Sequence, residues 1–369
     1  MVPGASGPHG RLTLVTTAPR VSRLWWVTGP LLALLIGAVT IVGALPVPYV
    51  ALSPGSARSV EPLIELAERP GGPSVDVEPP TENLLFVTVS TSVKPSGLYI
   101  LLGWLDDTVQ VEPSAPFLGT QTQDENRALN LALMTDSQDS ARKVALEQLG
   151  YEVEATPVGV FIEDVDPASA SATVLTPGMT VVGVEGKEIT IRGELVAAIG
   201  AKAPGDQIVL DVVGLDDDSP DEVVATLGER PGSPGEAILG ISIVDRATYK
   251  FPIDIQIDTG KVGGPSAGLA FTLAILDRLT PGSITGDDRV AITGTIELDG
   301  SVGPVGGVRH KTEAAVREGA KLFLVPPDEF EVAKMVARGR IDIVSVASLD
   351  DALAALEASG GSGLPPVPE

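Results

Sequence analysis

The chain has 369 residues, enough for two domains of ordinary size with appendages, and a formal net charge of −24. So acidic a body repels phosphate backbones, which argues against nucleic acid as a partner. The absence of cysteine removes disulfides, thiolate metal sites and a cysteine nucleophile from consideration.

The charge is unevenly spread, because the first 50 residues hold Arg11, Arg20 and Arg23 and no Asp or Glu. Residues 1–23 read as a cytoplasmic tail and 24–46 as a transmembrane anchor. No residue from Leu24 to Pro46 is charged, and Leu31–Ile36 forms its apolar middle. About 20 apolar residues span a bilayer, and Trp25 and Trp26 stand at the entry, where indoles favour the headgroup layer. With the basic flank kept inside, a single-pass protein of the cell membrane results, its body outside the cytoplasm. A cleaved signal peptide is the alternative, although its apolar core is usually shorter.

Residues 47–157 follow as an exit linker and an N-terminal set of strands and a helix. Glu68–Glu82, with six Pro and Gly, reads as loop. Leu84–Thr91 is rich in β-formers and predicts a strand, and Leu98–Leu105 is a second apolar run. Asn126–Leu149 has a helical period through Leu129, Leu133, Met134, Ala141 and Val144, with Gly150 as its cap.

Short strands and turns then take over. Val158–Ile162 predicts a strand, Asp166–Ala170 a turn into a short helix, and Leu175–Lys187 a turn, strand and turn. Glu194–Ile199 predicts a helix and Gln207–Val213 a strand. This order, over residues 158–214, resembles a PDZ domain, a module that binds an extended peptide by adding it as a strand. The resemblance implies a peptide-binding loop at Gly159, Val160, Phe161 and Ile162; Met179 departs from it, standing where such domains usually carry Asp. An ordinary small β domain without ligand is the other reading. Residues 215–238, with Asp216-Asp217-Asp218 and three prolines, read as a polar linker.

The block 239–358 is α/β, with strands at Phe251–Asp258, Arg289–Leu298, Leu322–Val325 and Ile341–Val346. Helices are predicted at Ser266–Leu279, His310–Gly319, Asp328–Ala337 and Leu349–Glu357. Short strand–helix–strand connections imply parallel strands and right-handed crossovers. Residues 359–369 read as a loose tail.

Within that block, Lys261–Gly268 runs as a glycine-rich loop into an apolar helix and presents Ser266 among small residues. A serine needs a base before it is nucleophilic. Gly264-Pro265-Ser266-Ala267-Gly268 fits G-x-S-x-G, but that elbow follows a strand directly, and here a loop of about seven residues intervenes. His9 precedes the anchor, leaving His310 as the one histidine base for a triad. Lys311 is the other candidate. A lysine in an apolar site loses its charge more easily, and N–H groups at a helix start disfavour the ammonium further. Taken alone, Ser266 reads as a helix cap and Lys311 as a surface lysine.

Three motifs in order resemble the Lon-type serine–lysine peptidases: Gly264–Gly268, Thr293–Gly300 and Pro304–Lys311, with Gly319–Pro326 also similar in kind. The resemblance implies Ser266 as nucleophile and Lys311 as general base. It implies Thr293 as the group that orients the lysine, and Gly264 and Pro265 as part of the nucleophile loop at the oxyanion hole. Gly263 stands where energy-dependent members carry Asp, which loses a carboxylate but keeps the dyad. Arg309 and His310 also differ from common choices and are expected in an exposed first helical turn. Anchor, PDZ and Lon-type domain together resemble the bacterial membrane-anchored, PDZ-containing Lon-like proteases (the YlbL-like group). The expected fold is therefore an α/β (α+β) Lon-type proteolytic domain plus a small β-rich PDZ domain after one transmembrane helix. The resemblance also implies that Leu84–Thr91 and the helix carrying Met134–Ala141 are the first half of the Lon-type domain, with the PDZ inserted.

No G-x-x-x-x-G-K-[ST] or H-E-x-x-H occurs, so neither an ATP-driven motor nor a metal is expected, and no cofactor. The function implied is ATP-independent serine endopeptidase activity on unfolded or flexible chains, the PDZ binding or gating them; a homo-oligomeric ring follows from the resemblance. The alternative is a catalytically silent PDZ scaffold at the membrane.

Overall fold

In Leu84–Val87 four consecutive large apolar side chains are all buried. A strand buried on both faces must lie inside a sheet covered on both sides, and the computed structural model, which describes residues 25–114, 121–215 and 219–362, places it there. The tail 1–23, Leu24, His9, Asp216–Asp218 and the last seven residues of the C-terminal tail lie outside the described residues.

The amino-terminal part contains α1 (Trp25–Ala44), β1 (Tyr49–Ser59), β2 (Ile64–Ala67), β3 (Leu84–Val93), α2 (Gly97–Gly103), β4 (Gln110–Pro113) and α3 (Gln123–Gln148). The middle contains β5 (Glu154–Val165), β6 (Thr180–Val184), β7 (Lys187–Glu188), α4 (Arg192–Gly200), β8 (Gln207–Val213), β9 (Asp221–Thr226), β10 (Gly228–Glu229), β11 (Ala237–Ile238) and β12 (Ile241–Lys250). The remainder contains β13 (Asp254–Ile257), α5 (Gly268–Leu279), β14 (Val290–Ile292), β15 (Thr295–Ile296), β16 (Val302–Gly303), α6 (Val308–Arg317), β17 (Leu322–Val325), α7 (Phe330–Ala337), β18 (Asp342–Ser345) and α8 (Leu349–Ala358).

One six-stranded sheet has the order β18-β17-β14-β3-β1-β4. Its first four strands are parallel, β14, β17 and β18 through short crossovers, and β1 and β4 join antiparallel. Leu84 and Phe86 share a core with Met134 of α3, Phe271 of α5 and Leu353 of α8. Leu85 and Val87, on the opposite face, share one with Ala315 of α6 and Ala333 of α7. The strand from before residue 158 thus stands beside β14, some 200 positions later in sequence.

A second sheet, β12-β5-β6-β8-β9, encloses its own core with Leu195 and Ile199 of α4. It reaches beyond residues 158–214 on both sides, from Glu154 to Lys250. The segment expected to be a polar linker supplies β9, which pairs with β8, and the β10–β11 hairpin. Val223, Ala225 and Leu227 alternate toward the core, a signal that the neighbouring acids and prolines conceal.

Two further expectations change. The apolar run Leu98–Leu105 becomes helix α2, because Ser96 caps it through Tyr99 N–H at 3.3 Å. Arg289–Leu298 breaks into β14 and β15 at Thr293-Gly294. Among the described residues no helix is long and apolar enough to cross a membrane. Helix α1 is 20 residues long and uncharged, but Pro30 removes a hydrogen bond in its second turn, leaving Leu31–Ala44 as its uninterrupted part.

Candidate active site

The loop between β13 and α5 carries Ser266, and helix α3 holds it in place. Gly264 N–H donates to the Asn130 carbonyl at 2.7 Å, and Ser137 Oγ donates to the Pro265 carbonyl at 2.9 Å. Gly264 turns at φ 93°, where a side chain is strained. At Gly268 an added Cβ would meet Ser137 Oγ at 2.8 Å and Ile296 N at 2.9 Å, so only glycine allows this approach. The Ser266 carbonyl accepts from Gly294 N–H at 3.0 Å and from the Thr293 hydroxyl at 3.2 Å. Its own hydroxyl makes no hydrogen bond among the described residues, and the main-chain N–H groups of Ser266 and Ala267 are likewise unspent.

Lys311 stands in the first turn of α6, which begins at the left-handed Gly307. It is 3% exposed, and Nζ lies 3.1 Å from Thr293 Oγ1. Thr293, fully buried in the break between β14 and β15, has one hydroxyl proton and gives it to the Ser266 carbonyl. Its oxygen can then only accept from the lysine. Burial pushes the Lys311 pKa down to about 7, against a smaller upward pull from the Glu329 carboxylate. A neutral Lys311 donates one N–H to Thr293 and keeps a lone pair. Ser266, Lys311, Gly264 and Pro265 all line one cleft of about 780 Å³, whose other wall is formed by β1 and β3.

The expected residues Ser266, Lys311, Thr293, Gly264 and Pro265 therefore come together. The four expected to line a peptide groove do not present one. Val160, Phe161 and Ile162 are fully buried, and β5 is paired on both edges, with β6 on one side and β12 on the other. The sequence gives no sign that a later strand takes the second edge. His310 is also placed otherwise than expected: Arg309 is exposed but His310 is 4% exposed. It is packed by the Thr108 carbonyl and Glu112, burial lowering its pKa, and it does not line the cleft.

Asn130, Ser137 and Glu329 are the residues that sequence reasoning missed. The first two are polar positions on the largely apolar face of α3 that carries Met134 and Ala141, where Gln138 is buried as well, and that is the available signal. Glu329, 9% exposed, accepts from Val305 N–H at 3.0 Å and so pins the loop entering α6. Its second oxygen has no partner among the described residues. Among the described residues no cluster of His, Asp and Glu could hold a metal ion.

A family profile described as the Lon protease (S16) C-terminal proteolytic domain matches residues 241–357. Lon protease of Azospirillum brasilense is 42% identical over 94 residues, 24% of this chain and 11% of that protein. Lon protease of Geobacter metallireducens is 35% identical over 110 residues, 28% and 13% respectively. An archaeal Lon protease of Archaeoglobus fulgidus is 28% identical over 155 residues, 40% of this chain and 24% of the relative. The matched stretch thus spans well under a third of each of these relatives. Among solved structures, the PDZ domain of an SdrC-like protein of Listeria monocytogenes aligns with TM-score 0.22 and 22% identity, covering 24% of this chain and 90% of that one. Its counterpart from Listeria innocua aligns with TM-score 0.20 and 22% identity, covering 23% and 92%. Residues 241–357 therefore match the Lon protease (S16) C-terminal proteolytic domain, within a mixed α/β fold that also has PDZ-like structural neighbours.

Proposed function

We propose that this chain is a serine endopeptidase in which Ser266 is the nucleophile and Lys311 the general base. The observation that carries the reading is a buried lysine with a pKa near 7, linked through Thr293 to the main chain of a serine that shares its cleft. Neutral Lys311 takes the Ser266 hydroxyl proton as Oγ bonds to the scissile carbonyl carbon. The resulting oxyanion is met by the unspent N–H groups of Ser266 and Ala267. Lys311 then gives its proton to the departing amine as the C–N bond breaks, leaving an acyl-serine. Water, deprotonated by the same lysine, releases the acid and restores the hydroxyl.

The two segments of the sheet that contains β3 and β14 act in this reading as one proteolytic domain, with the second sheet inserted between them to bind or gate the substrate. Hydrolysis proceeds without ATP, on unfolded or flexible polypeptides. Helix α1 is the membrane anchor, in line with membership of the membrane-anchored Lon-like group, and the body lies outside the cytoplasm. Its exposed Leu31, Leu34 and Leu35, and the exposed Leu101, Leu102, Trp104 and Leu105 at the neighbouring α2, give it apolar surface to place in lipid. A ring of copies is compatible with this arrangement.

Cleavage of casein by the full chain, beside Ser266→Ala, Lys311→Ala and His310→Ala, tests the proposal. Loss of at least a thousandfold in the first two, with activity retained in the third, is expected. Equal behaviour of the parent and the Ser266 and Lys311 variants would leave the silent scaffold as the reading. A loss in His310→Ala matching that of Ser266→Ala would make the histidine the base.

A further inference from the structure

Strand β12 is the connection between the two sheets, yet it also fills a site. It lies antiparallel along the outer edge of β5, with Ile243 opposite Ile162, Val244 opposite Phe161 and Asp245 opposite Val160. Helix α4 packs against both strands. The Asp245 carboxylate accepts from the main-chain N–H of Arg192, the first residue of α4, and also faces the Arg192 guanidinium at 3.6 Å. Ile241 and Ile243 rest against the core of the small domain without being fully buried. A sheet edge beside a helix, taking a strand through main-chain bonds and alternate side chains, is the geometry of peptide recognition by strand addition.

The amino-terminal half of β12 is weakly held. No residue of the strand is buried, whereas β6 buries Thr180, Val181, Gly183 and Val184. Its register is broken at Ser242/Ile243 and again at Arg246/Ala247. From Arg246 onward it is fixed: the guanidinium donates to Thr180 Oγ1 at 3.0 Å and lies 5.2 Å from the Phe161 ring centroid. Tyr249 stacks on Phe251 at 5.7 Å, and Arg142 of α3 covers Phe251 at 5.3 Å. A strand with little buried surface and interrupted pairing opens more readily than its neighbours. An incoming strand would restore the main-chain bonds it gives up.

We propose that residues 241–245 are a tethered occupant of a peptide groove between β5 and α4, and that the external ligand is an extended segment of pattern apolar–x–apolar–x–acidic, replacing Ile241, Ile243 and Asp245. This rests on the small domain being a peptide-binding module and not on the peptidase reading. It accounts for the closed edge of β5 beside α4: the groove is occupied by the chain itself. It also couples the groove to the cleft, because β12 continues through β13 to the Ser266 loop.

The test is binding of a fluorescent, acetylated and amidated peptide of residues 240–247 to the full chain. Every protein carries Ser266→Ala, so cleavage plays no part in the readout. Because the chain has no cysteine, Asp164→Cys with Ser242→Cys, at directly opposed exposed positions, forms a unique lock. Asp245→Ala is expected to bind at least tenfold more tightly than the parent. The oxidised lock is expected to lose binding and regain it on reduction, and the peptide with Asn for its Asp to bind at least tenfold more weakly. Equal binding to locked and reduced forms would overturn the proposal. Hydrogen exchange on the otherwise unmodified chain provides a check that needs no groove variant. Amides of 241–245 are expected to exchange at least tenfold faster than those of β6 and β8; equal protection would show a fixed strand and overturn it.

Discussion

In the proposed mechanism Lys311 can serve as a base only because of what surrounds it. Burial lowers its pKa to about 7, and Glu329 is the charge that opposes this. Hydrolysis is therefore expected to rise with pH through about 7 as Lys311 loses its proton. Glu329→Gln removes the opposing charge but keeps an acceptor for Val305 N–H, so the acidic limb of the pH–rate profile should move to lower pH. An unmoved limb would show that Glu329 only holds the loop. Ser266 and Lys311 stood out in the sequence only through the ordered glycine-rich motifs around them; each taken alone read as a helix cap or a surface lysine. The role of Ser137 was not legible: a serine on an apolar helix face has the same local pattern whether it faces a void, water or the Pro265 carbonyl.

At the scale of elements, the turn after β1 offers a separate probe of folding. Glu61 is fully buried there, with Thr81 Oγ1 at 2.8 Å and Leu84 N at 3.4 Å from one oxygen and, among the described residues, no partner for the other. Desolvation, with a lesser contribution from nearby Asp277, raises its pKa to about 7 from 4.5. The folded state thus holds a proton that the unfolded chain releases at lower pH. The stability this group contributes is complete below 4.5 and is lost as pH rises through about 7. Thermal unfolding of the parent should fall in midpoint between pH 5.5 and pH 8.5, and Glu61→Gln should flatten the trend. At pH 8.5 the variant is expected to be more stable by about 2 kcal/mol; identical slopes would remove Glu61 as the cause. Most helices and strands followed their periodicity. Besides the break of Arg289–Leu298 and the β10–β11 hairpin, α2 and β9 departed from it because it was obscured: in one, an apolar run of strand length is turned by a capping serine, and in the other, acids and prolines surround a short alternation.

For the whole molecule the decisive feature is the sheet shared between distant segments. Removing residues 1–153 leaves the entire 241–357 match intact but deletes β3, β1 and α3. The edge of β14 is then open and the Phe271 side of the core loses Leu84, Phe86 and Met134. Such a fragment is expected to lack a cooperative unfolding transition and any peptidase activity. A folded, active fragment would sink the reading of one proteolytic domain in two segments.

By itself the sequence determined the glycine-rich loop of Ser266, the helix of Lys311, the uncharged amino-terminal helix and the order of most elements. These are local: glycine placement, apolar period and capping act within a few residues. Only the tertiary structure decided that β3 joins β14, that α3 grips the Ser266 loop and that β12 closes the edge of β5. Apolar strands are near-interchangeable partners by composition. Which pair forms depends on how both faces of a sheet can be covered at once, and no window of sequence contains that condition.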